Sequence, residues 1–193
     1  LFGLPNTPYP NIIVSKQRHE LISNQAKSYH QPIIAISPFA YWQDKCWPRD
    51  KYVDLIKELK QKNEYLSDAY VAVFGGDQDR KNLPYFQAAF KNSFIDLVNN
   101  GHLLDKAAWI SHCALYISND TGGAHMAAAM NCPTVALFGP TDPNRYRPIG
   151  KRATYIKTPS HTDDKEHPMQ PLSVTMVYQE IIQSLFPIQK TLS

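Results

Sequence analysis

The chain has 193 residues, of which 43% are hydrophobic, enough for one domain with a real core. Its formal charge of +3 is mild and its Lys and Arg are scattered, which argues against nucleic acid as the partner. Cys46, Cys113 and Cys132 are an odd number without CxxC spacing. That argues against a disulfide framework and a zinc ribbon, and points to reduced thiols in a cytoplasmic protein.

No apolar run reaches the ~18 residues of a membrane span. The opening "LFGLPNTPYPNIIVSK" does not have the layout of a signal peptide. It also lacks an initiator methionine, so Leu1 is read as a boundary within a longer chain. Residues 1–30 read as a lead-in: a Pro/Asn-rich loop over 1–12, then a short polar helix over Val14–Tyr29.

Residues 31–193 alternate between strand and helix patterns. "PIIAIS" (Pro32–Ser37) has strand length. "RDKYVDLIKELKQK" (Arg49–Lys62) places Tyr52, Val53, Leu55, Ile56 and Leu59 on one helical stripe, with Pro48 just before it. "AYVAVFGG" (Ala69–Gly76) is a second strand, Asn82–Lys91 a helix and Ser93–Val98 a third strand. His102–Cys113 has helical period, and Ala114–Ser118 is a fourth strand. An alanine-rich helix (Gly122–Met130), a fifth strand (Thr134–Gly139) and an amphipathic closing helix (Ser173–Phe186) follow. Apolar strands separated by helices predict an α/β domain with a Rossmann-like, doubly wound parallel sheet.

The unusual residues follow the strands. "SPFAYWQDKCWP" comes after the first, "GGDQDR" after the second, "NDTGG" after the fourth and "GPTDPNRYRP" after the fifth. In an open parallel sheet these loops share one edge, where ligands bind at the reversal of strand order.

With Thr121 as N-cap, Gly122 to Ala124 begin a helix whose free N–H groups and dipole suit an anion. His125 lies one turn in, on the face of Thr121 and Gly122. It either donates to an anionic oxygen or is a satisfied, half-buried histidine. Asp120 either accepts from sugar hydroxyls or caps the helix. Lys45 is a phosphate partner, held by Trp42, Trp47 and Pro48, or a solvated charge. Asp77 and Asp79 bind ribose or cap the next helix. Arg145 and Arg147 serve phosphate or pair at the surface. There is no GxGxxG after the first strand, and no GxxxxGK[ST], HExxH or GxSxG. Cys113 and Cys132 look like core residues. His102, His112, His161 and His167 show no metal spacing.

Taken together, "DKCWPRDKYVDLIKEL", "VAVFGGDQD", "SNDTGGAHMAAA" and "PTVALFGPTDP" resemble the ADP-heptose:lipopolysaccharide heptosyltransferases, glycosyltransferase family nine. The likeness runs from about Ile33 to Ser184 and matches the C-terminal, donor-binding half of a two-domain GT-B enzyme. The resemblance implies that Lys45 and the Thr121–Gly122 backbone hold the donor diphosphate and that Lys45 and His125 stabilise the leaving group. It implies that Asp120 and His125 contact the sugar–phosphate portion, Asp79 the ribose, and the Gly101–His102 loop the base. Ser37, Tyr41, Gly76, Asp77 and Gly123 complete the implied donor site.

By the same resemblance the donor is a nucleotide-diphosphate sugar such as ADP-heptose, and neither a metal nor another cofactor is required. The acceptor is the lipid A/core oligosaccharide, met through an N-terminal domain that this chain lacks and that supplies the catalytic base. This chain alone is then inactive. A cytoplasmic enzyme in peripheral contact with the inner membrane is implied. A GT-B enzyme with another donor, an epimerase, or a non-catalytic nucleotide-binding module remain the alternatives.

Overall fold

The computed structural model describes residues 9–99, 101–159 and 167–186. His161 and the first eight residues of the lead-in lie outside the described residues. Six strands form the sheet: β1 (Ile33–Ser37), β2 (Tyr70–Gly75), β3 (Phe94–Val98), β4 (Leu115–Asn119), β5 (Thr134–Phe138) and β6 (Ala153–Lys157). Their order is β3-β2-β1-β4-β5-β6, and every adjacent pair is parallel. The chain winds outward from β1 to β3, then returns to β1's other side as β4. Strand order therefore reverses between β1 and β4, where Ser37 is in register with Ser118.

The sequence predicts five strands, and the sixth is a correction. "ATYIK" in β6 is mostly half-buried at the sheet edge, so it lacks the continuous apolar run that marks the interior strands. β1, β4 and β5 are buried at every position and read plainly for that reason.

The helices are α1 (Lys16–Lys27), α2 (Arg49–Lys62), α3 (Leu83–Phe90), α4 (Leu103–Ile110), α5 (Gly122–Ala129), α6 (Pro143–Tyr146) and α7 (Val174–Leu185). Alternate residues of each strand serve opposite faces. Ile34 and Ile36 pack with Tyr52, Leu55, Ile56 and Leu59 of α2, Phe86 of α3, and Val177 and Ile181 of α7. Ile33 and Ala35 pack with Ile22 and Ala26 of α1, Ala108 and Trp109 of α4, and Ala127 of α5. The predicted stripe of α2 is the buried one, and the helix has the predicted bounds. The lead-in also contributes to the fold, since α1 lies against α4 and is tied to it by an ion pair of Arg18 with Asp105.

Cys113 and Cys132 are core residues. Burial pushes the Cys132 thiol up to about 12 and raises that of Cys113 as well, so both stay protonated and unreactive. No helix among the described residues is long and apolar enough to cross a membrane.

Candidate functional site

The carboxyl ends of β1, β2 and β4 open into a cleft of about 650 Å³. Ser37, Phe39 and Tyr41 reach it from the loop after β1, and Gly75, Gly76 and Asp79 from the end of β2. Leu103, Lys106 and Ile110 approach from α4, and Thr121, Gly122, Gly123 and Met126 from the start of α5. Three of the predicted ligand loops thus meet in one concavity.

Asn119 anchors the loop after β1. It is fully buried at the end of β4, and its side chain makes three hydrogen bonds. Its Oδ1 accepts from the Trp47 backbone N–H at 3.0 Å and from the Tyr52 hydroxyl at 3.0 Å, while its Nδ2 donates to the Pro38 carbonyl at 2.9 Å. Trp47 is pinned from its other side, where its indole N–H donates to the Leu172 carbonyl at 2.8 Å. Sequence reasoning passed over Asn119, whose role appears only when residues 38, 47 and 52 come together in space. The predicted restraint by Trp42 is corrected: that residue is 63% exposed, and Trp47 alone of the two is buried.

The next residue holds the loop's cation. Lys45 Nζ lies 2.7 Å from Asp120 Oδ2, which also accepts from the Thr141 hydroxyl at 2.7 Å. The capping reading of Asp120 is corrected, because its carboxylate caps no helix and instead pairs with a lysine across 75 positions of sequence. The pair is part-buried, with the two side chains 22% and 8% exposed. Lys45 and Asp120 stand beside the cleft and are not among its lining residues.

The start of α5 is bare. No side chain caps it, as none caps α1, α2 or α3, whereas Ser173 caps α7 and His102 caps α4. Thr121 is extended, and its hydroxyl sits 3.1 Å from that of Ser118. The two glycines differ. A Cβ on Gly123 would come within 2.6 Å of the Tyr116 hydroxyl, so glycine is required there by packing. A Cβ on Gly122 would meet nothing within 4 Å, so the space before it is open to a ligand.

The remaining predicted residues separate. Asp79 lines the cleft, but its Oδ2 also accepts from the Gly76 N–H at 2.9 Å, so it caps the turn after β2. Asp77 is exposed and is not among the lining residues. His125 is exposed, and it too is absent from the lining. Gly101 borders a neighbouring hollow beside β3 and α1. Tyr41 lines the cleft and is 92% exposed. Arg145 and Arg147 rest on the rings of Tyr146 and Tyr155, as surface residues do. Cys46 borders the cleft half-buried, and burial raises its pKa, which leaves it a thiol rather than a nucleophilic thiolate. Among the described residues no cluster of three His, Cys, Asp or Glu could hold a metal.

The family model for glycosyltransferase family 9 (heptosyltransferase) matches residues 1–173. The chain belongs to this family. It is 30% identical over 156 residues to lipopolysaccharide heptosyltransferase 2 of Escherichia coli, a match covering 77% of this chain and 43% of that protein. It is 32% identical over 136 residues to lipooligosaccharide heptosyltransferase 2 of Haemophilus influenzae, covering 66% of this chain and 37% of that one. The solved structure of the E. coli ADP-heptose lipopolysaccharide heptosyltransferase II superposes with a TM-score of 0.76 at 26% identity, covering 94% of this chain and 55% of that one. The matched region of this family member therefore spans about half the length of these relatives, or less.

Proposed function

We propose that this chain is the donor-binding half of a heptosyltransferase and takes a nucleotide-diphosphate sugar, ADP-heptose, into the cleft at the reversal of strand order. The observation that carries this reading is the uncapped start of α5, where open space faces Gly122. Amides of a first helical turn and the positive end of the helix dipole stabilise a diphosphate. Lys45 stands one loop away, held by Asp120 in a part-buried pair. Relatives named as lipopolysaccharide heptosyltransferases support the choice of donor and of a lipopolysaccharide core acceptor.

In the reaction an acceptor hydroxyl attacks the anomeric carbon while the bond from that carbon to the diphosphate oxygen breaks. The departing diphosphate gains negative charge, and the α5 amides and Lys45 offset it, while the part of His125, which is exposed outside the cleft lining, rests on the family resemblance alone. The hydroxyl proton goes to a carboxylate base in a second domain, which also presents the acceptor at the cytoplasmic face of the inner membrane. No metal is needed, because preorganised amides and a lysine supply the positive field. The chain by itself therefore binds the donor without transferring sugar.

Calorimetry with ADP, UDP and their sugars tests the reading. Saturable binding of ADP, weakened by Lys45→Ala and His125→Ala, is expected. Absence of binding at millimolar nucleotide, or full sugar transfer by this chain alone, counts against it.

A further inference from the structure

Lys106 is a charged residue on the cleft-facing side of α4, flanked there by apolar neighbours. Leu103, Lys106 and Ile110 recur at helical spacing on one face, and all three line the cleft. Leu103 is 62% exposed, an apolar surface turned toward open space rather than toward a core. Phe74 from β2 and Met126 from α5 join the same lining. An apolar wall of this kind suits a nucleobase.

The Lys106 ammonium is fixed. Its Nζ donates to the Gly75 carbonyl at 2.7 Å and to the Asn99 carbonyl at 2.7 Å, so it joins the carboxyl ends of β2 and β3. A lysine has three N–H donors, and these two contacts use two of them. The side chain also borders the neighbouring hollow lined by Gly101 and Asn99, so it stands on the wall between the two cavities. Burial lowers its pKa from the ordinary lysine value, while the carboxylates of Asp77 and Asp79 favour the charged form. A cation held by two carbonyls and bordering open space is preorganised to donate once more without the entropy cost of a free lysine.

The geometry points to Lys106 as a specificity-determining residue: its third N–H donates to an acceptor on the edge of the donor's nucleobase, while the start of α5 and Lys45 hold the diphosphate. This assignment rests on the proposed nucleotide-sugar site. It separates the cleft into a diphosphate end, sensed by inorganic pyrophosphate, and a base end sensed only by a nucleotide.

Calorimetry on the full chain with ADP and with inorganic pyrophosphate, for wild type, Lys106→Met and Lys106→Gln, tests it. Both variants are expected to weaken ADP binding about tenfold, the worth of one charge-assisted hydrogen bond, and pyrophosphate binding less than about twofold. A second measurement needs no variant. Acetylation of Lys106 in the wild-type chain, followed by mass spectrometry, should slow at least about fivefold under saturating ADP and stay unchanged under pyrophosphate, as occlusion of a cleft-lining amine requires. Equal loss of both ligands in folded variants, unchanged ADP affinity, or equal acetylation with and without ADP overturns the role of Lys106. A wild-type chain that binds neither ligand overturns the nucleotide-site reading itself, and Lys106's role with it.

Discussion

Gly122 and Gly123 are adjacent and chemically identical, yet they are glycines for different reasons. Gly123→Ala forces a methyl group against the Tyr116 hydroxyl, within 2.6 Å in the present packing. Tyr116 is fully buried, so moving its ring to make room disturbs the packing around it. Denaturant unfolding should show a loss of about 1–3 kcal/mol, the usual cost of overpacking. Gly122→Ala has open space around the new methyl and should keep or gain up to about 1 kcal/mol through helix propensity. Reversal of that order contradicts the packing described. Asn119→Ala belongs to the same scale. It leaves the Tyr52 hydroxyl, the Trp47 N–H and the Pro38 carbonyl without partners, and should cost about 3 kcal/mol in the same unfolding measurement.

Much of the site was legible residue by residue. Thr121, Gly122 and Gly123 announce an anion-compatible helix start, and they line the cleft. The Lys45–Asp120 pair was not legible, because no local pattern links residues 75 positions apart. Lys106 was hidden for another reason: one charge in an otherwise apolar helical stripe reads as a solvated position until the carbonyls of Gly75 and Asn99 are seen around it.

Among elements, α2 and β6 mark the two extremes of legibility. The stripe of α2 alternates fully buried and exposed positions, so its period and ends could be read directly. β6 lies at an edge, with intermediate burial and no such contrast. α1 shows what tertiary contact adds to a weak local signal. It is polar over most of its length, yet Ile22 and Ala26 are buried. His19 of α1 stands 5.4 Å from His112, ring to ring, just beyond the end of α4.

His112 Nε2 is buried without a hydrogen-bond partner, and burial lowers its pKa, with the positive charges of His19 and Lys27 adding to the effect. The unfolded chain therefore binds its proton more readily than the folded one. The associated stability is fully present above the ordinary histidine value of 6.5 and is lost as pH falls below it. Hydrogen exchange of the α1 amides should be faster at about pH 5 than at about pH 7.5 after correction for intrinsic rates, and His112→Gln should reduce that difference. An α1 equally protected at both pH values contradicts the coupling.

For the whole molecule, the parallel sheet does the positioning. It brings the ends of β1, β2 and β4 to one edge and places the uncapped start of α5 beside the loop that carries Lys45. Family membership was visible in the joined motifs because they cluster at that edge, where chemistry rather than packing dictates the residues. The proposed function assigns this cleft the leaving nucleotide, and the chain spans about half the length of the relatives it matches, or less. The most direct test of that central claim is an ADP titration, followed by calorimetry, of the wild-type chain and of Gly122→Val with its fold confirmed by circular dichroism. The account predicts saturable binding to the wild type and a loss of at least about tenfold when a branched side chain fills the space before the α5 amides. ADP binding unchanged by Gly122→Val, or absent from the wild type at millimolar concentration, contradicts it.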